Sequence, residues 1–141
     1  MTRRTLRLLF VCIENSNRSQ IAEAFARQIG GADVEAFSAG SRPSGRVNPR
    51  AIEAMREKGC DLDKQVSKSL AELPPVEFDA AVTMGCGDAC PDVRARVRED
   101  WNIPDPRAMG PEEFRGVRDL IEVRVRGLLE RLSAAHARPD R

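Results

Sequence analysis

The stretch Leu6–Arg27, LRLLFVCIENSNRSQIAEAFAR, leaves few folds open to the chain. Leu6, Leu8, Leu9, Phe10 and Val11 form a short apolar run with the length and composition of a buried strand. Ser19–Ile29 then places Ile21, Ala22, Phe25 and Ile29 on one helical face. Between strand and helix lies a polar loop that reads Cys-x5-Arg-Ser, from Cys12 to Arg18 and Ser19. A thiol at a strand end just before a helix lies in the positive potential of the helix N-terminus, which favours thiolate over thiol and makes Cys12 a nucleophile. The N–H groups of the loop and first turn, from Ile13, Glu14, Asn15, Ser16, Asn17 and Arg18, can converge on a tetrahedral oxyanion. Arg18 can grip two of its oxygens as a planar fork. Asn15 and Asn17 supply the tolerance of left-handed backbone that so tight a loop needs. Ser19 either caps the helix or donates a hydrogen bond to the thiolate. The plainer alternative is a structural cysteine followed by an ordinary capped helix, but strand before and helix after favour the oxyanion site.

The rest of the chain extends this unit. Gly30-Gly31 stops the first helix, and Val34–Ala39 reads as a second strand closed by Gly40 and the turn-rich Ser41-Arg42-Pro43-Ser44-Gly45. Asn48 and Pro49 signal the cap and first position of a helix running to about Lys58, with Gly59 as its stop. Asp61–Pro75 is polar and irregular, with one helical turn at Ser69–Glu72, and Phe78–Met84 is a third, continuously apolar strand. A two-cysteine loop, Gly85–Pro91, precedes a short fourth strand at Arg96–Trp101 and the turn Ile103-Pro104-Asp105-Pro106. From Pro111 to about Ala135 a helix carries Phe114, Val117, Ile121, Leu128 and Leu132 on one stripe. Arg118, Glu122, Arg126 and Glu130 form an exposed face opposite. The order β-α-β-α-β-β-α predicts an α/β fold with an open parallel four-stranded sheet, right-handed crossovers and helices on both faces. Ligands of such sheets bind outside the carboxyl ends of the strands, where Cys12 and Cys86 fall.

The length of 141 residues fits one domain, residues 1–141. Its 23 basic and 22 acidic residues leave a net charge of +1, with neither a nucleic-acid footprint nor a polybasic membrane patch. The basic N-terminus lacks the apolar run and cleavage site of a signal peptide, and no apolar segment is long enough to span a membrane. A soluble cytoplasmic protein is expected, with a monomer as the default. In that compartment Cys12, Cys60, Cys86 and Cys90 argue for reactive or metal-binding thiols rather than a disulfide framework. Cys86 and Cys90 supply at most half of a zinc site, since the only histidine is His136 in the tail, so no metal is expected. Cys60 follows a helix stop in an apolar slot and reads as packing, and Trp101 reads as core rather than pocket wall.

Val11-Cys12-Ile13-Glu14-Asn15-Ser16-Asn17-Arg18-Ser19 resembles the signature of the low-molecular-weight tyrosine phosphatase superfamily. The likeness continues through Ser38-Ala39-Gly40 and Ser67-Lys68-Ser69-Leu70 to the terminal helix. It implies that Cys12 is the nucleophile, Arg18 the oxyanion-binding arginine, Ser19 the thiolate-stabilising serine and Asp105, before Pro106, the general acid. A phosphatase has no use for Cys86 and Cys90, and Asp105-Pro106-Arg107-Ala108-Met109 lacks the aromatic residues that shape a phosphotyrosine pocket.

The three thiols resemble those of the thioredoxin-coupled arsenate reductases, a branch of the same superfamily. That likeness implies arsenate as substrate and a relay in which Cys12 attacks arsenate, Cys86 attacks Cys12 and Cys90 attacks Cys86. Thioredoxin then reduces the resulting disulfide with electrons drawn ultimately from NADPH, for arsenic detoxification, and no cofactor is bound. A third thiol favours thioredoxin over a small thiol that could reach the site itself. The alternatives are a phosphatase working through a Cys12 phosphoenzyme and a thiol module that binds trivalent arsenic. Several departures accompany the likeness. Asn17 stands where some reductases have a cysteine, Glu14 is expected to face outward, and the Cys86–Cys90 spacing is shorter than in some relatives. Lys68 stands where potassium-binding relatives have an acidic ligand beside the counterparts of Asn15 and Glu23, which implies potassium-insensitive kinetics.

Overall fold

A computed structural model describes residues 5–63, 65–84 and 93–137, with side chains described as far as 134 in the last helix. Its strands are β1 (Leu6–Cys12), β2 (Val34–Gly40), β3 (Phe78–Thr83) and β4 (Ala95–Asp100). Its helices are α1 (Arg18–Gly30), α2 (Pro49–Arg56) and α3 (Pro111–Ala137), with 3-10 turns at Gly31–Asp33, Leu70–Glu72 and Pro106–Ala108. The strands form one sheet in the order β2-β1-β3-β4, every pair parallel. β1 is therefore interior, which is why its sequence is almost continuously apolar.

Alternate residues of β1 serve two cores. Leu6, Leu8, Phe10 and Cys12 join Ile21 and Phe25 of α1, Met55 of α2 and Phe114, Ile121 and Leu128 of α3. Leu9 and Val11 face the other way, into a smaller cluster with Ala39, Phe78 and Ala81 that Leu70, Leu73 and Val76 cover. Helical cover is thus unequal: the three α-helices share one face, and a 3-10 turn with the segment behind it closes the other. Trp101 is core, 3% exposed and 5.9 Å from the Phe10 ring.

The helix ends follow their signals. Asn48 Oδ1 accepts from Arg50 N at 2.9 Å with Pro49 at the first position, and Gly31 turns left-handed after α1 with φ +57°. Helix α2 ends two residues earlier than expected, at Arg56, and a turn carries the chain to Gly59 at φ +79°. Ser69 and Glu72 cap their turn reciprocally. The fourth strand spans Ala95–Asp100, one residue earlier than expected.

One expectation fails outright. Arg118, placed on the exposed face of α3, is only 7% exposed. Its Nη1 donates to Ala54 O at 2.9 Å and to Glu57 Oε1 at 2.8 Å, and its Nε to Asp119 Oδ1 at 2.8 Å. Helix periodicity cannot foresee this, because Ala54 lies on α2 and Glu57 directly after it. Glu122 and Arg126 do form the expected i,i+4 pair at 3.0 Å.

Candidate active site

The Cys12 loop is built by turning its carbonyls outward. Ile13 O accepts from Arg42 N at 2.8 Å, Glu14 O from Ser44 N and Ser67 Oγ at 3.0 Å each, and Ser16 O from Asn48 N at 3.1 Å. Asn15 O accepts from Gln20 Nε2 at 3.0 Å, and Asn17 O from Ile21 N at 2.9 Å. Among the described residues, none accepts a hydrogen bond from the amide N–H of residues 13–17, so these donors remain for an anion. The inversion of the chain falls on Asn15, at φ +52°, while Asn17 keeps a negative φ and stands before α1 without capping it. Gly40 backs the loop so closely that a Cβ there would lie 2.5 Å from Ile13 O, which explains the glycine.

Cys12 is 3% exposed, and its Sγ lies 2.9 Å from Ser19 Oγ. The neighbours of Ser19 orient its oxygen. Asn15 Oδ1 accepts from the backbone N–H of Lys68 at 2.9 Å, which fixes the amide; Asn15 Nδ2 then donates to Ser19 Oγ at 2.7 Å. Ser19 Oγ accepts that bond, which leaves its single hydroxyl hydrogen free to turn to the sulfur. Of the two roles open to Ser19, capping is not realised, since α1 begins one residue earlier at Arg18.

Arg18 is 7% exposed, and its Nη1 donates to Met84 O at 2.6 Å and Ile103 O at 3.0 Å. No described residue accepts from its Nε or Nη2, which leaves those two donors for the cavity that Arg18 lines. That cavity, about 220 Å³, is lined by Cys12, Arg18 and the loop on one side and by Arg42, Asp105 and Arg107 on the other. Asp105 Oδ1 accepts from Arg107 N at 3.0 Å and starts the Pro106–Ala108 turn. Its position in the wall suits proton delivery to a group leaving an oxyanion.

The structure thus brings Cys12, Ile13, Glu14, Ser16, Asn17, Arg18 and Asp105 to one cavity, with Ser19 behind Cys12 and Asn15 behind Ser19. Cys86 and Cys90 lie outside the described residues. Met84, two residues before Cys86, lies beside the site, with its N–H on Val11 O at 3.0 Å and its carbonyl on Arg18. Sequence reasoning missed Arg42, Arg107 and Arg50. Arg50 Nη1 donates to Arg107 O at 3.3 Å, Nη2 donates to Met109 O, and the guanidinium lies 5.4 Å from the Phe114 ring centroid, so Arg50 braces the acid turn. Arg42 follows the Gly40 turn and Arg107 follows Asp105-Pro106, but no local pattern aims either at the cavity. Glu14 does not simply face outward: its carboxylate pairs with Arg107 at 3.0 Å on the cavity rim. Cys60 is buried packing, and burial pushes its thiol up from the ordinary range. No cluster of metal-ligating side chains occurs among the described residues, and no described helix is long and apolar enough to cross a membrane.

The model for the low molecular weight phosphotyrosine protein phosphatase family matches residues 7–138. A glutaredoxin arsenate reductase of Synechocystis sp. is 36% identical over 130 residues, covering 90% of this chain and 98% of that protein. A solved arsenate reductase in the phosphate binding state superposes with a TM-score of 0.83 at 35% identity, covering 90% of this chain and 98% of the other. A thioredoxin-dependent arsenate reductase of Corynebacterium glutamicum superposes with a TM-score of 0.77 at 29% identity, covering 96% of this chain and 65% of the other.

Proposed function

The chain belongs to the low molecular weight phosphotyrosine protein phosphatase family, and on that premise we propose that it reduces arsenate to arsenite through Cys12, Cys86 and Cys90 with thioredoxin as electron donor. The observation that carries the reading is the adjacency of β1 and β3. The strand that ends at Cys12 pairs directly with the strand that leads towards Cys86, and Arg18 bonds the last described residue before it.

In this reading the loop amides and Arg18 hold arsenate while the Cys12 thiolate attacks arsenic, and Asp105 protonates the departing oxygen so that water leaves. Ser19 gives its hydroxyl hydrogen to the attacking sulfur. Cys86 then attacks the Cys12 sulfur. The S–As bonding pair stays with arsenic, which falls from the +5 to the +3 state, and arsenite leaves a Cys12–Cys86 disulfide. Cys90 attacks Cys86 and releases Cys12 thiolate, and the Cys86–Cys90 disulfide is reduced by the dithiol of thioredoxin. Two thiols supply the electron pair; the third carries the oxidised state from a buried site to a partner protein. No metal or bound cofactor enters the scheme, and the domain acts as a cytoplasmic monomer.

The test is arsenate-dependent NADPH consumption with thioredoxin and its reductase, run beside a glutaredoxin and glutathione arm, aryl-phosphate hydrolysis and the variants Cys12→Ser and Cys90→Ser. Multiple turnover with thioredoxin, lost in both variants, is expected. If Cys90→Ser sustains turnover with thioredoxin, the relay as drawn is wrong, and activity in Cys12→Ser removes the whole assignment. The name of the Synechocystis relative makes glutaredoxin the second reading for the donor, and the glutaredoxin arm decides it. The family name keeps a phosphatase working through a Cys12 phosphoenzyme as the alternative reaction. Aryl-phosphate turnover without arsenate turnover would select it.

A further inference from the structure

Glu14 belongs to the loop after β1 and Arg107 to the turn after β4, yet Arg107 Nη1 donates to Glu14 Oε2 at 3.0 Å. The two side chains are 43% and 64% exposed, whereas Cys12 in the same cavity is 3% exposed. The ion pair is therefore a solvent-exposed part of the cavity lining, and the nucleophile a buried part. An anion seated on the loop amides needs no space beyond the cavity, but an organic group esterified to it must leave towards this rim. Arg107 cannot simply swing aside with its turn. Its N–H donates to Asp105 Oδ1 at 3.0 Å and its carbonyl accepts from Arg50 Nη1 at 3.3 Å, so only the side chain is free to open.

The charges also matter. Arg107 cancels Glu14, at 3.0 Å, and its Nε also lies 4.0 Å from Asp105 Oδ2, so the pair itself adds no net charge at the mouth, and anion capture is left to Arg18, Arg42 and the loop amides. Without Arg107, a carboxylate would stand unpaired at the entrance to a site for anions.

We infer that Glu14 and Arg107 are specificity-determining residues, a charge-neutral bar beneath which an inorganic tetrahedral oxyanion fits and which an organic monoester must break. This rests on the oxyanion site of the proposed reductase and narrows its substrates to oxyanions without an organic tail. Because the pair is exposed, the discrimination it supplies is modest, about fivefold.

The experiment uses the full chain and needs no turnover. Cys12 alkylation by iodoacetamide is followed at its own peptide by mass spectrometry, with inorganic phosphate or phenyl phosphate as protecting ligand. In wild type, inorganic phosphate protects at lower concentration than phenyl phosphate. In the Glu14→Ala/Arg107→Ala double variant the ratio of the two half-protecting concentrations moves towards phenyl phosphate by about fivefold. Arg107→Ala alone weakens protection by inorganic phosphate, and adding Glu14→Ala recovers most of that loss, which a merely structural role for Arg107 would not allow. An unchanged ratio in the double variant, or no recovery on adding Glu14→Ala, overturns the inference while leaving the oxyanion site intact. If neither ligand protects wild-type Cys12, the oxyanion site is absent and the proposed function falls with the bar.

Discussion

The backbone N–H of Lys68 lies 2.9 Å from Asn15 Oδ1, and this one bond sets which way round the Asn15 amide stands. From it follows the Asn15-to-Ser19 bond, which leaves the Ser19 hydrogen free for Cys12.

Ser19→Ala removes the donor to the sulfur, and Asn15→Asp redirects it, because a carboxylate accepts from Ser19 where the amide donates. Both variants should slow Cys12 alkylation at neutral pH by about tenfold, the worth of one hydrogen bond to a charged group. Normal reactivity in Asn15→Asp would show that the hydroxyl hydrogen does not depend on Asn15.

Arg18→Lys tests two roles at once. An ammonium cannot supply the remaining Nε and Nη2 donors as a fork, so kcat/KM for arsenate should fall by about 100-fold or more. It also leaves the buried carbonyls of Met84 and Ile103 poorly satisfied, and the urea midpoint should register a loss of about 1–3 kcal/mol. A variant with reduced activity and unchanged stability would mean that the carbonyl bonds are incidental.

Glu57 joins α2 to α3. Its hydrogen bonds to Arg115 and Arg118 hold the carboxyl down at about 2, from an ordinary 4.5. A carboxylate depressed in the folded state stabilises above its unfolded value, and that contribution is lost as pH falls from about 4.5 towards 2. Over this window the wild-type Tm should drop more steeply than that of Glu57→Gln, measured by circular dichroism; parallel curves would remove the clip from the account of acid stability.

Potassium and sodium chloride at equal ionic strength should support the same arsenate-reduction rate. The carboxylate available to a cation, Glu23, already accepts from Ser38 Oγ at 2.5 Å and pairs with Arg27 at 2.6 Å, while Lys68 Nζ lies 4.0 Å away and donates to Val66 O at 3.0 Å. Several-fold activation by potassium would show that this lysine does not stand in for the ion.

What was legible in the sequence was local. β1, the loop and α1 are contiguous, so the order of residue types from Leu6 to Arg27 contains the strand, the loop and the helix face together. β4 was harder because five of its six residues, Arg96, Val97, Arg98, Glu99 and Asp100, belong to a charged, largely exposed edge; only the pairing of its backbone with β3 makes it a strand. Arg118 and Arg107 were misread or missed for another reason. Their partners stand 61 and 93 residues away, at Glu57 and Glu14, where no periodicity reaches.

Arg18 stitches the chain leaving β3 to the chain leaving β4, since Met84 O and Ile103 O share one of its nitrogens. The seam is present whether or not an anion ever arrives. Arg18 therefore has a structural task that does not depend on the thiol beneath it.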